Sequence, residues 1–176
     1  MVTYLRQKQS GRSMIEMLGV LAIVGVLSAG GIAGYSMAMQ SYKTSALIEK
    51  VNLVAQQARV LYEGGQYTDA DIDDKLTEAG MITDLTNPFG GDLTVKATGA
   101  TEADPVDEFT VTTPANVPAE ACVKLLRTDW GTTGVFTSIK VGSNEYTSAD
   151  KTSPVDADAA ISACDSGNKA IEWVFK

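Results

Sequence analysis

Residues 11–35 read GRSMIEMLGVLAIVGVLSAGGIAGY, and after Glu16 no charge follows until Lys43. As a helix, the apolar stretch from Met17 to Tyr35 spans about 28 Å, close to the ~30 Å hydrocarbon core of a bilayer. Arg6, Lys8 and Arg12 precede it, a positive flank of the kind retained in the cytoplasm. The segment therefore reads as a membrane helix or a secretion signal. An ordinary cleaved signal peptide ends its apolar core in a small-x-small step, to which Ser28-Ala29-Gly30-Gly31 is only a loose match. It also leaves Glu16 unexplained. A carboxylate within a membrane helix costs about 2.5–3.5 kcal/mol at the centre and less near the interface, so one retained there marks a function and calls for a partner.

Composition narrows the classes further. The chain has 176 residues, enough for one globular domain and some extra, with 44% hydrophobic and 20% charged residues, which excludes a disordered or low-complexity chain. It has no histidine, so the commonest general base and the commonest metal ligand are both missing. Two cysteines cannot form a four-ligand zinc site. A formal charge of −8 argues against a nucleic-acid surface, which is normally basic. There is no G-x-S-x-G motif, no Ser–His dyad is possible, and nothing separates Asp107-Glu108 from ordinary surface charge. No enzyme and no cofactor are inferred.

The combination of basic leader, Gly11, Glu16 and apolar helix resembles the prepilin signature of type IV pilins and related pseudopilins. In that family a dedicated peptidase cuts after the glycine, and the fifth mature residue is glutamate. The resemblance implies a leader of residues 1–11, cleavage between Gly11 and Arg12, N-methylation at Arg12 and an assembly role for Glu16. Gly25 then falls on mature position 14, where pilins often carry glycine. Two features depart from the pattern. Arg12 is charged where the family usually starts with an apolar residue, and Ala33 stands where many pilins have a proline. Gly30, Gly31 and Gly34 offer two readings: weak points in the helix, at roughly 1 kcal/mol each relative to alanine, or a small-residue face for close helix packing.

Beyond the apolar run, Leu47, Val51, Val54, Ala55, Ala58, Leu61 and Tyr62 recur on one helical face, with Gly64-Gly65 as a stop. A single helix over 13–63 would be roughly 75 Å long. The resemblance implies an α+β pilin fold: a long N-terminal helix over 12–65, with 13–38 as membrane span and fibre core, packed on an antiparallel-sheet head over 66–176. Within the head, a short helix capped at Thr68 or Asp69 buries Ile72, Leu76 and Ala79 and stops at Gly80. Asp69, Asp71, Asp73 and Asp74 open like a calcium loop, but Asp74 stands where the loop needs glycine and Gly80 where it needs glutamate, so a helix N-terminus is the reading. Strands are expected at 93–96, 109–112, 135–141 and 171–175, helices at 119–127 and 156–164, and an exposed loop at 97–107. Asn87-Pro88-Phe89-Gly90-Gly91 is a turn, similar to an Asn-Pro-aromatic-Gly stretch in some type IVb-like pilins.

The resemblance further implies a disulfide between Cys122 and Cys164, suited to an oxidising compartment. Trp130 and Trp173 read as core or subunit-contact residues. Removing Arg6 and Lys8 with the leader takes the formal charge from −8 to −10. The implied partners are further copies of the chain, the prepilin peptidase, a platform protein and an assembly ATPase, with the inner membrane holding the precursor and no specific nucleic acid. A minor pilin or a type II secretion pseudopilin shares this N-terminus. A signal-anchored or secreted glycan-binding module is the competing class, and would have a different N-terminal cut or none.

Overall fold

The computed structural model describes residues 14–63, 66–97, 99–131, 135–147, 154–165 and 168–176. The chain divides into two units, Met1–Met39 and Gln40–Lys176. The first contributes the front of α1, a helix that runs from Met14 to Leu61. Its opening is helped by Glu16 in the first turn, where the helix dipole favours an anion. The stop expected at Gly64-Gly65 lies outside the described residues; the helix has already ended at Leu61, and Glu63 takes a positive φ of 28°.

In the second unit, the rest of α1 buries Leu47, Val51, Val54, Ala55 and Ala58 along one face. These share one core with α2 (Ile72–Glu78), α3 (Ala119–Leu126), α4 (Ala157–Cys164) and the inner face of a sheet. The strands are β1 (Thr94–Lys96), β2 (Phe109–Thr112), β3 (Phe136–Val141), β4 (Asn144–Thr147) and β5 (Ile171–Phe175). The sheet is antiparallel throughout and ordered β1-β2-β5-β3-β4, so the last strand in sequence lies at the centre. One register row crosses all five strands: Val95, Val111, Trp173, Ile139 and Tyr146. The first four are fully buried. Tyr62, Tyr67, Phe109, Phe175 and Phe136 form a run of rings with centroids 4.9–5.9 Å apart. Such tilted and stacked pairs add about 0.5–1.5 kcal/mol each beyond area burial.

Several local expectations are corrected. The strand β4 has no counterpart among the expected strands, because Asn-Glu-Tyr-Thr carries no apolar alternation. It exists by pairing with β3 through the two-residue turn Gly142-Ser143, where Gly142 takes φ +61°. The N-cap of α2 is Asp71, not Thr68 or Asp69, and makes no side-chain cap hydrogen bond. Asp69 instead accepts from the hydroxyls of Tyr62, at 3.0 Å, and Thr68, at 3.3 Å. Ala79 is exposed rather than buried, because α2 closes one residue earlier and Gly80 turns the chain with φ +66°. The 97–107 segment is not wholly exposed. Ala97 and Ala100 are buried, Ala97 N–H donates to Ala70 O, and Tyr67 and Val106 exchange backbone hydrogen bonds; the exposed residues are Gly99, 101–104 and Asp107.

Candidate functional site

The front of α1 is a wholly unburied apolar helix: its best 18-residue window has mean hydropathy 2.1, and none of that window is buried in the chain. Leu18, Leu21, Ile23, Val26, Leu27 and Ile32 are each more than half exposed. Glu16 stands at the head of this surface, itself exposed. Gly25, Gly30, Gly31 and Gly34 lie inside the unbroken helix, and a Cβ added at any of them would meet nothing within 4 Å. Their small size therefore answers to no contact within the described residues of this chain. Gly11 and Arg12 lie outside the described residues.

In the C-terminal half of the sequence, α3 and α4 are joined by a disulfide between Cys122 and Cys164, with Cα atoms 5.9 Å apart and a sequence separation of 42. Both cysteines are fully buried. Each helix reaches this point by local rules. Pro118 precedes α3 with φ −62°, and Asp156 caps α4 by accepting from Asp158 N–H. Trp130 is half-buried, donates through Nε1 to Leu125 O at 3.0 Å and meets Trp173 edge-on at 5.3 Å. Neither tryptophan presents an open platform.

The turn at Asn87 is fixed from both sides. Asn87 is buried; its backbone N–H donates to Gly91 O, and its side chain accepts from Phe89 N–H and donates to Asn116. Asn116 in turn donates to Phe89 O and Gly90 O. Glycine is required at Gly91, where φ is +69° and a Cβ would come 3.0 Å from the Pro114 ring. The 84–86 stretch is tied to α1 by Lys50, whose ammonium donates to Asp84 at 2.7 Å and to Thr86 O at 2.8 Å. The Lys50 ammonium and the Thr86 N–H hold the Asp84 carboxyl well below the usual carboxylate range. These pairs, up to 36 residues apart, carry no signal in sequence.

The acidic stretch is used structurally. Asp71 pairs with Lys96 at 2.9 Å, which raises the lysine's pKa, while Asp73 accepts from Val95 N–H. Asp73, Asp74, Asp84 and Asp92 border one open hollow, but among the described residues no three acidic or thiol groups are placed to hold a metal ion.

The family model described as PilS N terminal matches residues 41–176, which is most of the chain and all but the first residue of the second unit. The chain belongs to the PilS family of type IV pilins. The crystal structure of the type IVb pilin from Salmonella typhi is similar to this pilin, with a TM-score of 0.55 and 22% identity over 73% of this chain and 97% of that one. At that identity the likeness speaks for the fold, which is the pilin fold: a long N-terminal helix on an antiparallel sheet. No curated protein matches the chain. Pilins are structural subunits rather than enzymes, so the surfaces of this pilin are where its function resides.

Proposed function

We propose that this pilin is made as a precursor anchored in the inner membrane and then polymerises into an extracellular type IV pilus. A prepilin peptidase removes residues 1–11 by cutting between Gly11 and Arg12, and Arg12 becomes the N-methylated first residue. A platform protein and an assembly ATPase then drive the subunit into the fibre, where residues 13–38 form the core and 66–176 the outer head. One observation carries this reading: the front of α1 buries no residue within its own chain, so lipid first and neighbouring subunits afterwards must cover it.

Glu16 sets the register of that packing. Cleavage creates an α-amino group at Arg12, four residues or about 6 Å along the helix from Glu16, where it can meet Glu16 of a neighbouring subunit. Leu, Val and Ile surfaces slide past one another with little preference, whereas leaving one member of a buried ion pair unmatched costs roughly 3–5 kcal/mol. The open helical face at Gly30-x-x-x-Gly34 then lets another helix approach closely.

The test is processing. Gly11→Val should leave an uncut precursor that inserts into the membrane and forms no fibres. N-terminal sequencing of the wild-type membrane form should begin at Arg12. A first residue beyond Gly30, or normal maturation of Gly11→Val by intact mass, overturns the reading.

A further inference from the structure

We propose that Lys43 and Lys124 form a docking surface for anionic phospholipid headgroups, holding the head against the membrane while the subunit waits for assembly. The two come from different parts of the sequence. Lys43 is the first charge after the apolar run. Lys124 is on α3, yet its ammonium donates to the hydroxyl of Ser41 at 3.2 Å, so the fold brings it to the same turn of α1. All three residues belong to the Gln40–Lys176 unit. Ser41 and Lys43 are two and four helical residues past Met39, about 3 and 6 Å along the chain, and Lys124 shares that depth through its hydrogen bond to Ser41. That is the headgroup layer beyond a span ending near residue 38, so the proposal rests on the membrane-anchor reading above.

Most of the described lysines have a carboxylate at hand, and these two do not. Lys50, Lys75, Lys96, Lys140 and Lys176 each stand beside a carboxylate. Among the described residues, neither Lys43 nor Lys124 does. Lys43 lies over the Phe89 ring at 5.9 Å, and Lys124 meets a serine hydroxyl although Glu120 is one turn back on its own helix. In a mature chain of formal charge −10, two unneutralised ammonium groups beside the anchor are the groups that can meet a negative bilayer surface. Neither a hydroxyl nor a ring face prevents a lysine from also contacting phosphate.

The full-length pilin should be reconstituted into vesicles of phosphatidylcholine alone or with phosphatidylglycerol, and recovered by flotation after carbonate washing. A water-soluble amine-reactive reagent then labels exposed lysines, which are located by peptide mass, with Lys75 as the internal reference. Phosphatidylglycerol should reduce labelling of Lys43 and Lys124 about fivefold each, matching the gain of a lysine near an anionic surface, and high salt should restore it. Equal labelling in both vesicles, with the chain inserted, overturns the proposal. So does protection that arises only in assembled fibres, since a neighbouring subunit would then be the cover. A chain that does not float with the vesicles refutes the membrane-anchor reading, and this proposal falls with it.

Discussion

The two stretches of α1 on either side of Met39 obey opposite rules. In front, Met14–Met39 is apolar and has no buried residue; behind, Gln40–Leu61 is more polar, yet Leu47, Val51 and Val54 are fully buried. Hydrophobicity alone therefore does not say where a residue is buried in this chain. The rear stretch concentrates its apolar residues on one face and finds a sheet to cover that face. The front stretch is apolar all round, so a single domain could cover only part of it. Changes in the front should act on insertion and assembly, and changes behind it on folding of the head.

The largest effect expected from this contrast is at Glu16. Glu16→Ala should be made, inserted and cleaved, with head stability unchanged, yet be largely absent from fibres when it is the sole pilin, as expected for roughly 3–5 kcal/mol lost at each mispaired subunit. Fibre yield beside thermal unfolding of the detergent-solubilised chain measures both halves. Wild-type yield would break the contrast, leaving Glu16 as a marker of the membrane boundary.

Cys164→Ser should do the reverse. Closing a loop of 42 residues stabilises the head by roughly 4 kcal/mol on the chain-entropy account. Its loss should lower the unfolding midpoint of the head and the amount of pilin, while membrane insertion stays near wild type. Alkylation without reductant should label neither Cys122 nor Cys164 in wild-type fibres.

The smallest effect sharpens the comparison inside the head. The Tyr67 hydroxyl and Trp173 Nε1 are buried without a hydrogen-bond partner among the described residues. An unmatched buried hydroxyl is costly, so Tyr67→Phe should stabilise the head by about 1 kcal/mol at neutral pH, measured by denaturant unfolding. Burial also pushes the Tyr67 pKa up to about 12 from an ordinary value of 10.0. Below pH 10 both folded and unfolded chains keep the proton; between 10 and 12 only the unfolded chain loses it, so stability falls as pH rises. Tyr67→Phe should remove part of that alkaline slope. Tyr62, raised by burial and by its hydrogen bond to Asp69, retains the rest.

Much of the fold is legible in the order of the residues. The buried stripe of α1, the helices α3 and α4 and four of the five strands follow from periodicity and capping, to within two residues at their ends. The strand β4 escapes that reading although Gly142-Ser143 is a recognisable hairpin turn, because its four residues carry no apolar alternation of their own. The burial of Ala97 and Ala100 escapes it for a related reason. A Gly/Asp/Pro-containing segment reads as a loop, and only the backbone bonds to Ala70 and Tyr67 draw its flanks inward.

By itself the sequence determined the apolar front helix, the isolated carboxylate at its mouth and the elements of the head, since each is written in residues within a turn or two of one another. The tertiary structure alone decided that β5 lies between β2 and β3, that Lys50 holds the 84–86 stretch, that the Asp69, Asp71 and Asp73 carboxylates are tied to Tyr62, Lys96 and Val95, and that Lys124 reaches Ser41. These are meetings of groups 7 to 83 residues apart. Most of them depend on how several separate elements pack around one core, which no local pattern encodes.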